Sequence, residues 1–188
     1  MRIFATSDTH FGHEMLVRNG HRRAGFEEDL LKSLRARTGD LLIHCGDFCI
    51  GEDEKWMALF AESAKGFSKR ILVRGNHDKK SDAWYIKHGF DTVCDQFVAT
   101  HFGKRVIYSH MPVFRNDTFW APSWPPALNI HGHLHGNSHR GEFIKDGQPY
   151  DMSYHYDLAP ELHDYKVIDV ENVVNFNPLS KLTKIASV

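Results

Sequence analysis

The chain has few cysteines: three in 188 residues, Cys45, Cys49 and Cys94. The odd count and the lack of zinc-ribbon spacing argue against a disulfide framework or a thiolate metal site, and suit a reducing compartment. It has no run near the ~18 apolar residues that a membrane-spanning helix needs. No basic segment followed by an apolar one opens it, because the first apolar run gives way within a few residues to Asp8 and His10. A soluble, cytoplasmic protein is therefore expected. Charge of one sign is lacking too. With 23 Lys and Arg against 24 Asp and Glu, a formal net charge of -1 leaves no basic footprint for non-specific binding to nucleic acid or to anionic membranes. Internal repeats, low-complexity tracts and linkers are missing, so one domain over residues 1–188 is the expected organisation.

What is present is a 41% apolar, 25% charged composition with 14 histidines, enough apolar material for a sizeable core. Five apolar runs read as buried strands: Ile3–Thr6, Leu41–Cys45, Ile71–Val73, Val106–Tyr108 and Leu128–Ile130. Each ends in a short polar cluster, in turn Asp8-Thr9-His10, Gly46-Asp47, Gly75-Asn76-His77-Asp78, Ser109-His110 and Gly132-His133-Leu134-His135. These clusters hold the oxygen and imidazole donors that divalent cations take. In open α/β sheets ligands bind beyond the carboxyl ends of the strands, so clusters far apart in sequence can meet at one site. Asp8 and His10, like His133 and His135, are one residue apart, a spacing that in extended backbone sends both side chains to one face.

Helical patterns at roughly 27–37, 52–65 and 81–88 alternate with the strands, with Leu30, Leu31 and Leu34, and then Trp56, Leu59 and Phe60, as core-facing stripes. Residues 92–108, with Gly103-Lys104 at a turn, read as a hairpin, so the sheet should be mixed. Residues 115–127 carry Phe119, Trp120, Trp124 and three prolines, which excludes a regular helix or a central strand. Tyr165–Val170 alternates as an edge strand does. His44 is expected as a satisfied core histidine; Arg74 could steady the motif that follows it through hydrogen bonds or simply end its strand in solvent, the second being favoured.

The order Asp-x-His, Gly-Asp, Gly-Asn-His-Asp, His, Gly-His-x-His, running from Asp8 to His135, resembles the calcineurin-like metallophosphoesterase superfamily. The extended form Asp8-Thr9-His10-Phe11-Gly12-His13 is similar to that of its small stand-alone bacterial and phage phosphoesterases. Gly46-Asp47-Phe48-Cys49 lacks the continuation of the protein Ser/Thr phosphatases. The resemblance implies an α/β fold, a two-sheet mixed β-sandwich flanked by helices. It also implies two divalent metal ions, one held by Asp8, His10, Asp47 and His135 and the other by Asp47, Asn76, His110 and His133, with Asp47 bridging. Mn is the expected metal, and Fe, Zn, Co or Ni would suit the same donors. The implied chemistry is direct attack of a metal-bridging hydroxide on phosphorus with His77 as general acid, its ring oriented by Asp78 or another carboxylate.

Small phosphate esters or nucleotide-like compounds are the expected substrates, with phosphodiesterase activity favoured over phosphomonoesterase or nucleotide hydrolysis. His13, Arg115 and Trp120 are candidate substrate contacts, Trp120 by stacking on a base, against the alternatives that His13 is merely exposed and that Trp120 and Trp124 cover the core or a dimer contact, the favoured reading for the tryptophans. Two readings compete with hydrolysis of small esters: a non-catalytic scaffold of the same fold, and a nuclease. The intact donor set disfavours the first and the neutral charge the second. Neither the physiological ester nor the oligomeric state is legible in the residues.

Overall fold

In the computed structural model, the described residues are 1–113, 128–136, 144–145, 148–149 and 154–175. In chain order they form β1 (Ile3–Thr6), α1 (Glu14–Arg18), α2 (Phe26–Arg35), β2 (Gly39–His44), α3 (Asp53–Ser63), β3 (Phe67–Val73) and α4 (Asp82–Lys87). There follow β4 (Thr92–Cys94), β5 (Gln96–His101), β6 (Lys104–Ser109), β7 (Leu128–His131), β8 (Ile144–Lys145), β9 (Gln148–Pro149), β10 (His155–Asp157), a 3₁₀ turn at Pro160–His163, β11 (Ile168–Asp169) and α5 (Val170–Asn175).

Two sheets carry the fold, in the orders β11-β1-β2-β3-β4 and β10-β7-β6-β5, beside a small β8-β9 ladder. Both are mixed. β1 through β4 are parallel and β11 joins β1 antiparallel; in the second sheet β5 and β6 form an antiparallel hairpin while β6, β7 and β10 run parallel. The two-residue period of the strands sorts their side chains into two cores. Phe4, Leu42 and Leu72 face one way and pack under α2 and α3 with Leu30, Leu34, Met57 and Phe60. Ile3, Ala5, Ile43, Ile71 and Val73 face the other way and meet Val106, Tyr108 and Ile130 of the second sheet. The result is the expected sandwich with helices on its flank.

α2, α3 and α4 fall within a few residues of their sequence patterns, whereas the short α1 and α5 have no counterpart among them. Ser81 caps α4 by accepting from the Trp84 N–H at 3.3 Å. The stripe on α3 is corrected in one place: Met57 and Phe60 are buried whereas Leu59 is exposed, because burial follows the three-residue step from 57 to 60 and leaves 59 on the outer side. The edge strand in the tail is shorter than its alternation suggests. Left-handed backbone at Asp164 and Tyr165 delays pairing to Ile168–Asp169, and α5 begins at Val170.

Candidate metal centre

The parallel strands bring the carboxyl ends of β1, β2 and β3 to one rim, and β6 and β7 end against it. Backbone hydrogen bonds fasten the loops there: Asp8 N–H donates to Gly46 O at 2.8 Å, His10 N–H to Asp47 O at 3.0 Å, and Gly132 N–H to His110 O at 3.0 Å. The loops are tightly drawn in. Asp8, His10, Asp47, His133 and His135 all adopt left-handed backbone, with φ between 43° and 70°, a conformation that non-glycine residues hold mainly where the surroundings enforce it. Gly132 sits so close to the first loop that a Cβ there would collide with Ser7 Oγ and Asp8 Oδ2.

All seven expected donors converge. The buried Asp47 carboxylate is central: its Oδ2 lies 3.6 Å from His10 Nε2, 3.4 Å from His110 Nε2 and 4.0 Å from His77 Nε2. On one side Asp8 Oδ1 lies 4.0 Å from His10 Nε2 and 3.6 Å from His135 Nε2. On the other, His110 Nε2 faces Asn76 Oδ1 at 2.9 Å and His133 Nδ1 at 3.2 Å. Asp8 with His10 and His135, and Asp8 with Asp47 and His110, form two groups compact enough to hold an ion.

The protonation pattern fits cations. His110 Nδ1 lies 2.9 Å from Cys45 O, so that nitrogen carries the proton and Nε2 turns a lone pair toward Asn76, Asp47 and His133. The Nε2–Oδ1 spacing of 2.9 Å and the Nε2–Nδ1 spacing of 3.2 Å put these donor atoms close enough to share one cation. Burial lifts the Asp8 carboxyl to about 6, against the pull of His110 and His135. Burial, and then the positive charge of Arg22, drive His10 down to about 2. Left to themselves, Asp8 would resist ionisation and His10 would stay a neutral base, and a divalent cation satisfies both.

His77 stands at the mouth, 47% exposed, with its backbone N–H on Asp47 Oδ1 at 2.8 Å and its ring 5.5 Å from that of His10. His13 is half-buried beside the same imidazole, ring centroids 5.7 Å apart. The expected orientation of His77 by Asp78 does not occur. Both Asp78 oxygens are taken by backbone, accepting from Asp47 N–H at 3.0 Å, Phe48 N–H at 3.0 Å and Gly75 N–H at 2.8 Å, while the Tyr85 hydroxyl reaches Oδ1 at 3.4 Å. Asp78 thus ties the second cluster to the third. Arg74 is also corrected, from a solvent-facing strand end to a brace: it donates to Asp78 O at 2.5 Å and Lys80 O at 2.8 Å and pairs with Asp82. His44 is the buried core histidine expected, bonded to Thr9 Oγ1 at 2.9 Å and accepting from Gly46 N–H at 3.1 Å. Arg115 and Trp120 lie outside the described residues.

Sequence reasoning missed Arg22 and Glu161. The Arg22 side chain is fully buried and donates to Asp8 O at 2.7 Å, Thr9 O at 3.0 Å and Glu161 Oε1 at 2.6 Å. Glu161 Oε1 lies 3.3 Å from His135 Nδ1. The residues between β1 and α2 carry no signal for this beyond an arginine in a polar stretch.

The sequence profile of the calcineurin-like phosphoesterases matches residues 1–183. No curated protein matches the chain. Among solved structures, a protein of unknown function from Aquifex aeolicus is 27% identical over 92% of this chain and 97% of its own, with a TM-score of 0.67. An archaeal phosphodiesterase is 15% identical over 90% of this chain and 98% of its own, with a TM-score of 0.48. YfcE, a phosphoesterase from E. coli, is 15% identical over 84% and 78%, with a TM-score of 0.44.

Proposed function

The chain belongs to the calcineurin-like phosphoesterase family, whose members are metal-dependent phosphoesterases, and we propose that its 188 residues act as one domain hydrolysing small phosphodiesters at a two-cation centre. The observation that carries this reading is Asp47 Oδ2, which has three imidazole nitrogens within 4.0 Å and stands between two donor groups. Asp8, His10, Asp47 and His135 would hold one ion, and Asp47, Asn76, His110 and His133 the other, with Mn the metal we favour. When bound, such a pair supplies Lewis acidity to phosphoryl oxygens and brings the pKa of water toward neutrality.

The chain's own groups define the rest of the reaction. Among the described residues beside the cage no hydroxyl or thiol serves as a nucleophile. Ser7 Oγ donates to Cys45 O and Thr9 Oγ1 to Phe48 O, Ser109 Oγ donates to Met111 O, and burial raises the thiols of Cys45 and Cys49 well above their ordinary range. With the carboxylates and the imidazoles of the cage engaged as metal donors, direct attack of water on phosphorus is the reading. His77, exposed at the mouth and tied through its backbone to Asp47, is placed to give a proton to the leaving oxygen. His13 flanks the same opening and contacts the phosphoryl group.

A cavity of about 610 Å³ adjoins the Asn76 and His110 side of the cage, lined also by Lys79, Gln96 and Met111. It offers room for a second ester substituent, which supports diesters over monoesters. The three cysteines are free thiols, which fits a cytoplasmic protein, and no helix among the described residues is long and apolar enough to cross a membrane. The test is hydrolysis of bis-p-nitrophenyl phosphate against p-nitrophenyl phosphate by Mn-loaded protein. Faster turnover of the diester, abolished by chelation and by Asp47→Asn, is expected. Preference for the monoester would overturn the diester assignment, full turnover by metal-free protein the metal mechanism, and no ester turnover with less than one ion per chain would leave a scaffold.

A further inference from the structure

One buried guanidinium joins the two ends of the cage. Arg22 Nη2 and Nη1 donate to the carbonyls of Asp8 and Thr9, at 2.7 and 3.0 Å, in the stretch where Asp8 and His10 are held left-handed. Its Nε donates at 2.6 Å to Glu161 Oε1, and that same oxygen lies 3.3 Å from His135 Nδ1. A planar fork with donors in three directions is the group able to make all these bonds at once. Arg22 and Glu161 are 139 residues apart, so the contact spans almost the whole length of the chain between the first donor cluster and the turn after the last.

We infer that Arg22 and Glu161 are positioning residues for one cation, the ion held by Asp8, His10 and His135, and do not serve the other. Three details favour this over a general structural role. A carboxylate on Nδ1 fixes the tautomer in which His135 Nε2 turns its lone pair inward and makes the ring a stronger ligand. The opposite charges of Arg22 and Glu161 cancel, so the brace adds no net charge beside the cation. Finally, Glu161 Oε2 is buried with no hydrogen-bond partner, a cost that a merely structural salt bridge at this depth would shed by replacement with apolar residues. Arg22 and Glu161 themselves touch none of Asn76, His110 and His133; the link to that side is the Asp8 carboxylate, which accepts from the His133 N–H at 3.0 Å.

The inference rests on the two-cation reading, and the experiment separates the two. Mn binding is measured by equilibrium dialysis and calorimetry on the full chain, with circular dichroism to confirm the fold. Wild type should bind two ions per chain. Glu161→Gln, which preserves shape, should weaken one class of site about 10–100-fold and leave the other unchanged. Arg22→Lys should not rescue what Arg22→Met loses, because a single ammonium cannot span three acceptors. In a His135→Ala background, Glu161→Gln should have no further effect on binding. Two bound ions in the wild type with parallel weakening of both classes, full retention of both, or additivity with His135→Ala would overturn the brace alone. Wild type that takes up no Mn overturns the metal centre and the brace together.

Discussion

Asp78→Asn tests whether that residue acts on His77 or on the backbone. The carboxylate accepts three backbone N–H groups, two on Oδ2 from Asp47 and Gly75 and one on Oδ1 from Phe48. An asparagine whose oxygen replaces Oδ2 keeps two of these bonds in weaker, uncharged form. Its amide nitrogen then faces the buried Phe48 N–H, while the Tyr85 hydroxyl can turn to accept. The stranded N–H costs ~1–3 kcal/mol and each bond that loses its charge assistance adds a smaller amount. Against this stands the relief of burying a neutral group, since burial holds the Asp78 carboxyl above its ordinary range despite its N–H donors. The balance is a loss of about 2–4 kcal/mol, or a fall in melting temperature on the order of 10 °C. Urea unfolding followed by circular dichroism in chelator measures it. The pH profile of kcat with Mn should keep its shape, because the His77 ring makes no bond to Asp78. A variant as stable as wild type within ~0.5 kcal/mol, with the basic limb of its kcat profile displaced, would refute the reasoning and restore Asp78 to the role of orienting the acid.

Two further outcomes are expected. His77→Ala should lower kcat about 10²–10⁴-fold on a diester with an alkoxide leaving group and far less on p-nitrophenyl esters, whose leaving group needs no proton; equal losses on both would remove His77 as the acid. Burial alone would raise Glu161, but the His135 hydrogen bond and the Arg22 charge outweigh it and hold the carboxyl at about 2. A depressed acid stabilises the fold above its unfolded value near 4.5 and loses that contribution as pH falls toward 2. At 24% exposure the effect is at most about 3 kcal/mol. Stability curves of metal-free wild type and Glu161→Gln should therefore converge between pH 5 and 2, and parallel curves would sink the claim.

The sequence made the cage legible because each donor sits directly after an apolar strand run, and parallel strands must end on one rim. Asp8, Asp47 and Asn76 meet by that rule, whereas His110 follows β6 of the second sheet and joins them because that sheet packs against the first. The neighbours of these residues were harder. Asp78 follows His77 in sequence, and adjacency suggests a shared task, yet a residue in a tight turn can send its carboxylate back under the chain, where three N–H groups compete for it. Arg74 reads as a strand end facing water, but the loop after β3 presents it with the carbonyls of Asp78 and Lys80. Leu59 lies in an apolar stripe by type and outside it by angle.

Arg22 and Glu161 were illegible for a deeper reason. Five of the proposed ligands stand in left-handed backbone, which costs free energy at each non-glycine position, so the loops need fastening from outside themselves. Some of that fastening leaves a trace, since Gly132 must lack a side chain for Asp8 and Ser7 to approach. The remainder is done by groups whose partners are backbone carbonyls, and a carbonyl has no residue identity to match. An arginine that serves Asp8 O and Thr9 O looks, as a letter in the chain, the same as one that serves water. Strain in the ligand loops therefore predicts that braces exist, and only the folded geometry says which residues they are.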